Sequence, residues 1–209
     1  MGAIILKIFR LFVLFGRNAA GCINQPYITY RKLSDEKTDS WQTIFILFLA
    51  VSYFAFASLI KVGVRNPFLL TVKFHTLFIA AIFGFFLVIF LIFLAGKIFS
   101  QKISLKVIFT LWSFSLLPTI IWFFTTSILY VILPPPRTFS IPGYSYSFLY
   151  IAFSLALLFW KLIFYYLTIR FSLRIDLIRI ILASFIIFPP LFAYSLLMYK
   201  FGVFRIPFI

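Results

Sequence analysis

Residues Phe74–Gly96 read FHTLFIAAIFGFFLVIFLIFLAG, with no Lys, Arg, Asp or Glu. An apolar run of about 20 residues or more crosses the hydrocarbon of a bilayer as a helix, because every backbone group is then satisfied inside one segment. Four further stretches share this character, and together they place spans near Trp41–Ile60, Phe74–Gly96, Val107–Leu133, Ser147–Ile169 and Ile180–Tyr199. Each is bounded by Lys, Arg, Pro or Gly. The pattern predicts an all-α, polytopic transmembrane helical bundle of about five spans at 41–209, preceded by a cytoplasmic segment at 1–40.

Composition agrees. Among 209 residues, 64% are hydrophobic, 32 are Phe and only 11% are charged, more apolar surface than one soluble core of this length can hide. Nineteen Lys and Arg stand against four acids. In a membrane protein that excess faces the anionic headgroups of a lipid bilayer, and no basic surface interleaved with stacking aromatics outside the spans points to nucleic acid.

The charges also orient the chain, since Lys and Arg are retained in short cytoplasmic segments. With the N-terminus inside, the cytoplasmic side holds Lys7, Arg10, Arg17, Arg31, Lys32, Lys37, Lys97, Lys102, Lys106, Arg170, Arg174 and Arg179. The other side holds half as many: Lys61, Arg65, Lys73, Arg137, Lys200 and Arg205. The expectation is N-terminus in and C-terminus out. Lys7, Arg10, Arg17, Lys97, Lys102, Lys106, Arg170, Arg174 and Arg179 are the candidate contacts for anionic lipid.

Ala3–Gly16 is apolar but interrupted by Lys7 and Arg10, too charged and too short to span. At 100° per residue Lys7, Arg10 and Arg17 share one sector, so a short amphipathic helix lying in the interface is expected, or one packed on the bundle. Ala19-Ala20-Gly21-Cys22 has the small residues of a lipoprotein cleavage site, but Arg17 breaks the run before it and the Leu expected three residues ahead of Cys22 is missing. A free cysteine follows, with acylation near the membrane as the alternative.

Lys161 stands well inside the fourth span, where a charge is costly unless paired, hydrated or neutralised. It reads either as a polar site in a conduit or as a structural lysine that snorkels or is satisfied by Thr125, Thr126 and Ser127. His75 opens the second span, and the acids are confined to Asp35, Glu36, Asp39 and Asp176. One His and one Cys cannot form a zinc site, and no acid pair or nucleophile with a base can be assembled, so neither cofactor, metal nor enzymatic activity is expected.

Pro118 interrupts the third span and Pro189-Pro190 the fifth, each removing a backbone donor, so kinks are expected at both. Such breaks either shape a bundle passively or line a midplane site. Pro134-Pro135-Pro136, Arg137 and Pro142-Gly143 read as a stiff extended connection between the third and fourth spans.

Asn24-Gln25-Pro26 with Tyr27 and Tyr30, Leu111-Trp112-Ser113-Phe114-Ser115-Leu116-Leu117-Pro118 in the third span, and Ser172-Leu173-Arg174 before the last span resemble the Yip family over roughly residues 20–200. The resemblance implies a five-span membrane domain with a cytoplasmic N-terminus. In eukaryotic members it implies partnership with Rab-type GTPases in vesicle traffic. The Asp-Leu-x-Gly-Pro motif of those members is missing, and so is their long polar N-terminal region, so a prokaryotic member in the plasma membrane is the better fit. The implied function is non-enzymatic, organising membrane or recruiting protein partners. The alternative is a small permease using Lys161, Pro118, Pro189 and Pro190.

Overall fold

The computed structural model describes residues 2–35, 41–62, 72–99, 103–132 and 141–203. Eight helices follow one another in these segments: α1 (Gly2–Asn24), α2 (Pro26–Leu33), α3 (Gln42–Val62), α4 (Val72–Phe99), α5 (Leu105–Phe114), α6 (Leu117–Ile132), α7 (Ile141–Leu173) and α8 (Leu177–Lys200). No strand occurs among the described residues.

Four stretches are long and apolar enough to cross a bilayer: His75–Phe99, Leu105–Leu129, Gly143–Leu173 and Leu177–Lys200. The remaining predicted span, Trp41–Ile60, falls on α3, which is a shorter apolar helix over the part whose side chains are described, Gln42–Tyr53. The fold is therefore the all-α polytopic bundle expected.

The third span lies at the centre. Of its most apolar stretch 61% is buried, against 28% or less in the other three, because α5 packs on α3, α4 and α7 and receives α2. Ring contacts between Phe15 and both Phe45 and Phe114, and between Tyr53 and Phe123, show α3 running parallel to α5 and α6. The Trp122 indole donates to Ser154 Oγ at 2.9 Å, tying α6 to an antiparallel α7. Tyr194 of α8 donates to the Ala80 carbonyl of α4 at 2.6 Å, and its ring lies 3.1 Å from where a Cβ on Gly84 would stand. Removing that side chain lets two apolar helices approach closely, as expected where packing rather than water exclusion holds helices together.

Several hydroxyls inside the spans are satisfied locally. Thr110, Ser113, Thr168 and Ser184 each donate to the carbonyl four residues back.

The expected kink at Pro118 is a break. Ser115 N–H closes on the Leu111 and Trp112 carbonyls and Leu116 N–H on Ser113, after which α6 begins. Pro118 has no N–H to offer the Phe114 carbonyl, so the turn at Ser115-Leu116 separates two helices within one span. At Pro189-Pro190 there is no such break: α8 continues as one helix through both prolines, and both face outward. Pro142 and Gly143 likewise belong to helix α7 rather than to an extended link; a proline in a first turn sacrifices no hydrogen bond. Pro134, Pro135, Pro136 and Arg137 lie outside the described residues.

Candidate functional site at the basic end of the bundle

The alternation of helix directions brings the start of α3, the end of α4, the start of α5, the end of α7 and the start of α8 to one end. The predicted cations gather there. Lys97 ends α4 with its ammonium 5.1 Å from the Phe93 ring centroid, Lys106 opens α5, Arg170 ends α7, Arg174 forms the turn to α8, and Arg179 lies in the first turn of α8. All but the half-buried Arg170 are exposed. Asp176 is the N-cap residue of α8 and makes no capping hydrogen bond; its charge stands at the positive end of that helix. Lys102 and the Lys7 side chain lie outside the described residues.

The N-terminal segment is built onto this end. The expected short helix over Ala3–Gly16 extends through Asn24, and Pro26 then starts α2 at its first position. A Cβ on Gly21 would lie 2.5 Å from Thr29 Oγ1, so a glycine is needed for the two helices to fold back on each other. Along α1, Leu11, Phe15 and Cys22 are buried and fall on one side, while Asn18 on the same side donates to Gln42 Oε1 at 2.7 Å. Leu6, Phe9, Phe12 and Val13 face out, and Arg10 and Arg17 occupy the sector between. One helix thus carries a seam against the bundle, an apolar outer face and a basic stripe.

Helix α2 docks through Tyr30 and Tyr27. Tyr30 is fully buried, its ring 5.0 Å from that of Phe164, and its hydroxyl faces the Leu111 carbonyl at 3.5 Å and the Thr168 hydroxyl. Cys22 is buried beside it in the same apolar cluster. Burial pushes the Cys22 thiol up to about 12, and burial followed by the nearby thiolate charge raises Tyr30 well above the usual phenol range. Such a thiol is a small hydrophobe with little nucleophilic character in the folded chain.

Arg170 does not project freely toward headgroups as the sequence led us to expect. Its guanidinium carbon lies 5.6 Å from the Tyr27 ring centroid and 5.7 Å from that of Tyr166, and it donates to the Tyr166 hydroxyl. Arg170 is thus a clamp for the N-terminal hairpin. Sequence reasoning treated Tyr27 and Tyr30 only as family features. The usable signal was Thr29, Tyr30 and Leu33, whose helical spacing puts three buried residues on one face of α2.

The predicted midspan residues fall elsewhere. Lys161 is half-buried between Leu157 and Phe164 on the inner side of α7. Seven residues back from Trp122 and seven on from its partner Ser154 lead to Ser115 and Lys161, so in antiparallel helices the lysine lies at the depth of the α5–α6 break. Trp112 Nε1 and Thr119 Oγ1, buried without hydrogen-bond partners, fall within about a turn of that depth. Thr126 donates to the Phe123 carbonyl and Ser127 pairs with Tyr53, so these two hydroxyls serve other partners. Pro118 is buried beside the break. No group of three His, Cys, Asp or Glu that could hold a metal is found among the described residues.

Packed apolar spans and a basic end define an integral, multi-pass helical membrane protein. The Yip1 domain profile matches residues 20–199, from the end of α1 to the end of α8, and the chain belongs to that family. No curated relative and no solved structure matched the chain.

Proposed function

We propose that this chain is a non-enzymatic organiser of membrane or recruiter of partners, of the Yip type, with the basic end on the cytoplasmic side and the C-terminus outside. The observation that carries this reading is the docked α1–α2 hairpin. It converts loops too short to fold alone into a fixed surface, on which Arg31 and Lys32 of α2 stand exposed at the same end as Lys97, Arg174 and Arg179. Lys7, Arg10, Arg17, Lys97, Lys102, Lys106, Arg174 and Arg179 are proposed to hold this surface against anionic headgroups, each charge contributing about 1 kcal/mol near such a surface. The missing Asp-Leu-x-Gly-Pro motif argues for a prokaryotic plasma membrane and against Rab-type partners.

The test is purification of the tagged chain from its native membrane in mild detergent, with mass spectrometry of stoichiometric companions. A companion lost when Tyr30→Ala releases the hairpin supports the proposal; a chain that purifies alone in every detergent sinks it. A C-terminal reporter active only outside the cytoplasm checks the orientation.

A second reading, a small permease, draws on Lys161 and the two unpaired polar atoms near its depth, Trp112 Nε1 and Thr119 Oγ1. Discontinuous helices form ion and substrate sites near the midplane in transporters. The outward placement of Pro189 and Pro190 leaves only the α5–α6 break for that role. Flux into liposomes that Lys161→Leu abolishes would favour it, whereas folding and flux both indifferent to Lys161→Leu would leave the lysine structural.

A further inference from the structure

The turn at Ser115-Leu116 leaves a helix N-terminus near the middle of the third span, which runs from Leu105 to Leu129. The first backbone hydrogen bond of α6, a helix of 16 residues, is from Ile120 N–H to the Leu116 carbonyl. Ser115 and Leu116 N–H close back onto α5, and Pro118 has no N–H. The N–H groups of Leu117 and Thr119 are therefore left without a backbone acceptor among the described residues. Thr119 Oγ1 and Trp112 Nε1, one turn to either side of the break, are buried and equally unpaired. Hydrocarbon has no acceptor to offer any of them.

Lys161 faces this end. Trp112, Thr119 and Trp122 follow at helical spacing along one side of the third span, as do Ser154, Lys161 and Tyr165 along one side of α7. Trp122 donates to Ser154, and Trp112 and Tyr165 pack on the same buried cluster, so Lys161 stands between two points at which these sides meet. Its ammonium has no counter-charge there, because all four acids of the chain lie outside the spans.

The choice of occupant follows from these groups. Water would accept from the N–H groups and leave the charge uncompensated, and a second cation would be repelled. The Phe114 carbonyl, freed by Pro118, can take one of the three ammonium protons but carries no net charge. A small anion satisfies the N–H donors and neutralises the lysine together, and the positive end of α6 favours it further. We propose that the α5–α6 break binds one small monovalent anion, a halide, between the N-terminus of α6 and Lys161, with Thr119 Oγ1 and Trp112 Nε1 donating to it. The proposal rests on the same Lys161 site as the permease reading and names its ligand class, but it requires binding and not passage.

Trp112 reports occupancy directly, since iodide quenches an indole that it touches. The full chain in phosphatidylcholine nanodiscs is titrated with potassium iodide, potassium gluconate holding the ionic strength constant, and the signal of Trp112→Phe is subtracted to isolate Trp112. Quenching is expected to saturate and to be reversed by chloride, which competes for the site without quenching. Lys161→Gln should raise the half-saturating iodide concentration about tenfold or more, the value of a hydrogen bond to a charged group, and Thr119→Val about fivefold, that of a neutral one. Circular dichroism checks the fold of each, and because the variants remove different groups, either one decides if the other fails to fold. Quenching that rises linearly with iodide, saturation indifferent to chloride, or a half-saturation unmoved in a folded variant overturns the proposal. Saturable binding without halide flux in liposomes keeps the site and removes the permease reading. Flux of another solute that Lys161→Leu abolishes, with no saturable quenching, removes the anion site and keeps the permease.

Discussion

The guanidinium of Arg170, at the end of α7, lies over the ring of Tyr27 in α2, 5.6 Å from its centroid, across a distance of more than 140 residues in sequence. Together with the second face supplied by Tyr166, this fixes the N-terminal hairpin to the far end of the chain. Arginine suits the place because its planar guanidinium stacks on aromatic rings and still donates hydrogen bonds, which an ammonium does less well.

Replacing Arg170 by Gln should loosen the hairpin without unfolding the spans. Hydrogen exchange at α1 and α2 is expected to quicken while α5 and α7 keep their protection, and Arg170→Lys should fall between. Unchanged exchange at α2 in Arg170→Gln would show that the ring stack holds nothing.

Tyr30 carries more of the docking. Truncation to Ala removes a fully buried aromatic side chain and should cost about 3–5 kcal/mol. Tyr30→Phe loses a long hydrogen bond to the Leu111 carbonyl and the contact with the Thr168 hydroxyl, and should cost about 1 kcal/mol. Limited proteolysis between α2 and α3, followed against denaturant, reads the difference. Equal effects from the two variants would place the value of Tyr30 in its hydroxyl rather than in its packing.

Alkaline pH should release the hairpin. The Cys22 thiol is held neutral in the fold, up to about 12, whereas in the unfolded chain it ionises near 9. Above that lower value the unfolded state binds fewer protons than the folded one, so stability is retained below about 9 and falls as pH rises toward 12. One thiol contributes a slope of up to about 1.4 kcal/mol per pH unit, and Tyr30, displaced in the same direction, adds to it at higher pH. Maleimide labelling of Cys22 across this range is the measurement. Rapid labelling at pH 7 in the folded chain would contradict the burial on which the prediction depends.

Arg174 follows the last residue of α7 with a φ of 53°, the left-handed conformation that glycine adopts freely and other residues adopt at a cost. Arg174→Gly should therefore stabilise the α7–α8 turn by about 1 kcal/mol, provided the charge acts only at the membrane surface. A thermal midpoint that rises while vesicle binding weakens separates the two contributions. A falling midpoint would mean that the side chain supports the turn.

The spans were legible because long charge-free runs such as Phe74–Gly96 have one physical solution in a bilayer. The break at Pro118 was legible for a similarly local reason, the absent N–H. Pro189 and Pro190 carry the same local signal but remain inside a continuous α8, so the signal alone did not decide the outcome. The gathering of cations at one end follows from alternating helix direction and was readable by counting. What Arg170 touches was not, since Tyr27 and Arg170 meet only through the three-dimensional return of α2 onto α7.

The burial of Cys22 orders events during synthesis. Its closest large partners include Phe164, by way of Tyr30, so the thiol cannot be enclosed until some 140 further residues have been made. At roughly 5–20 residues per second that is an interval of about seven to thirty seconds. Throughout it, an otherwise silent thiol is open to the solution around the ribosome. Its disappearance marks the moment at which the fourth span has taken its place, so the chain contains its own timer for assembly.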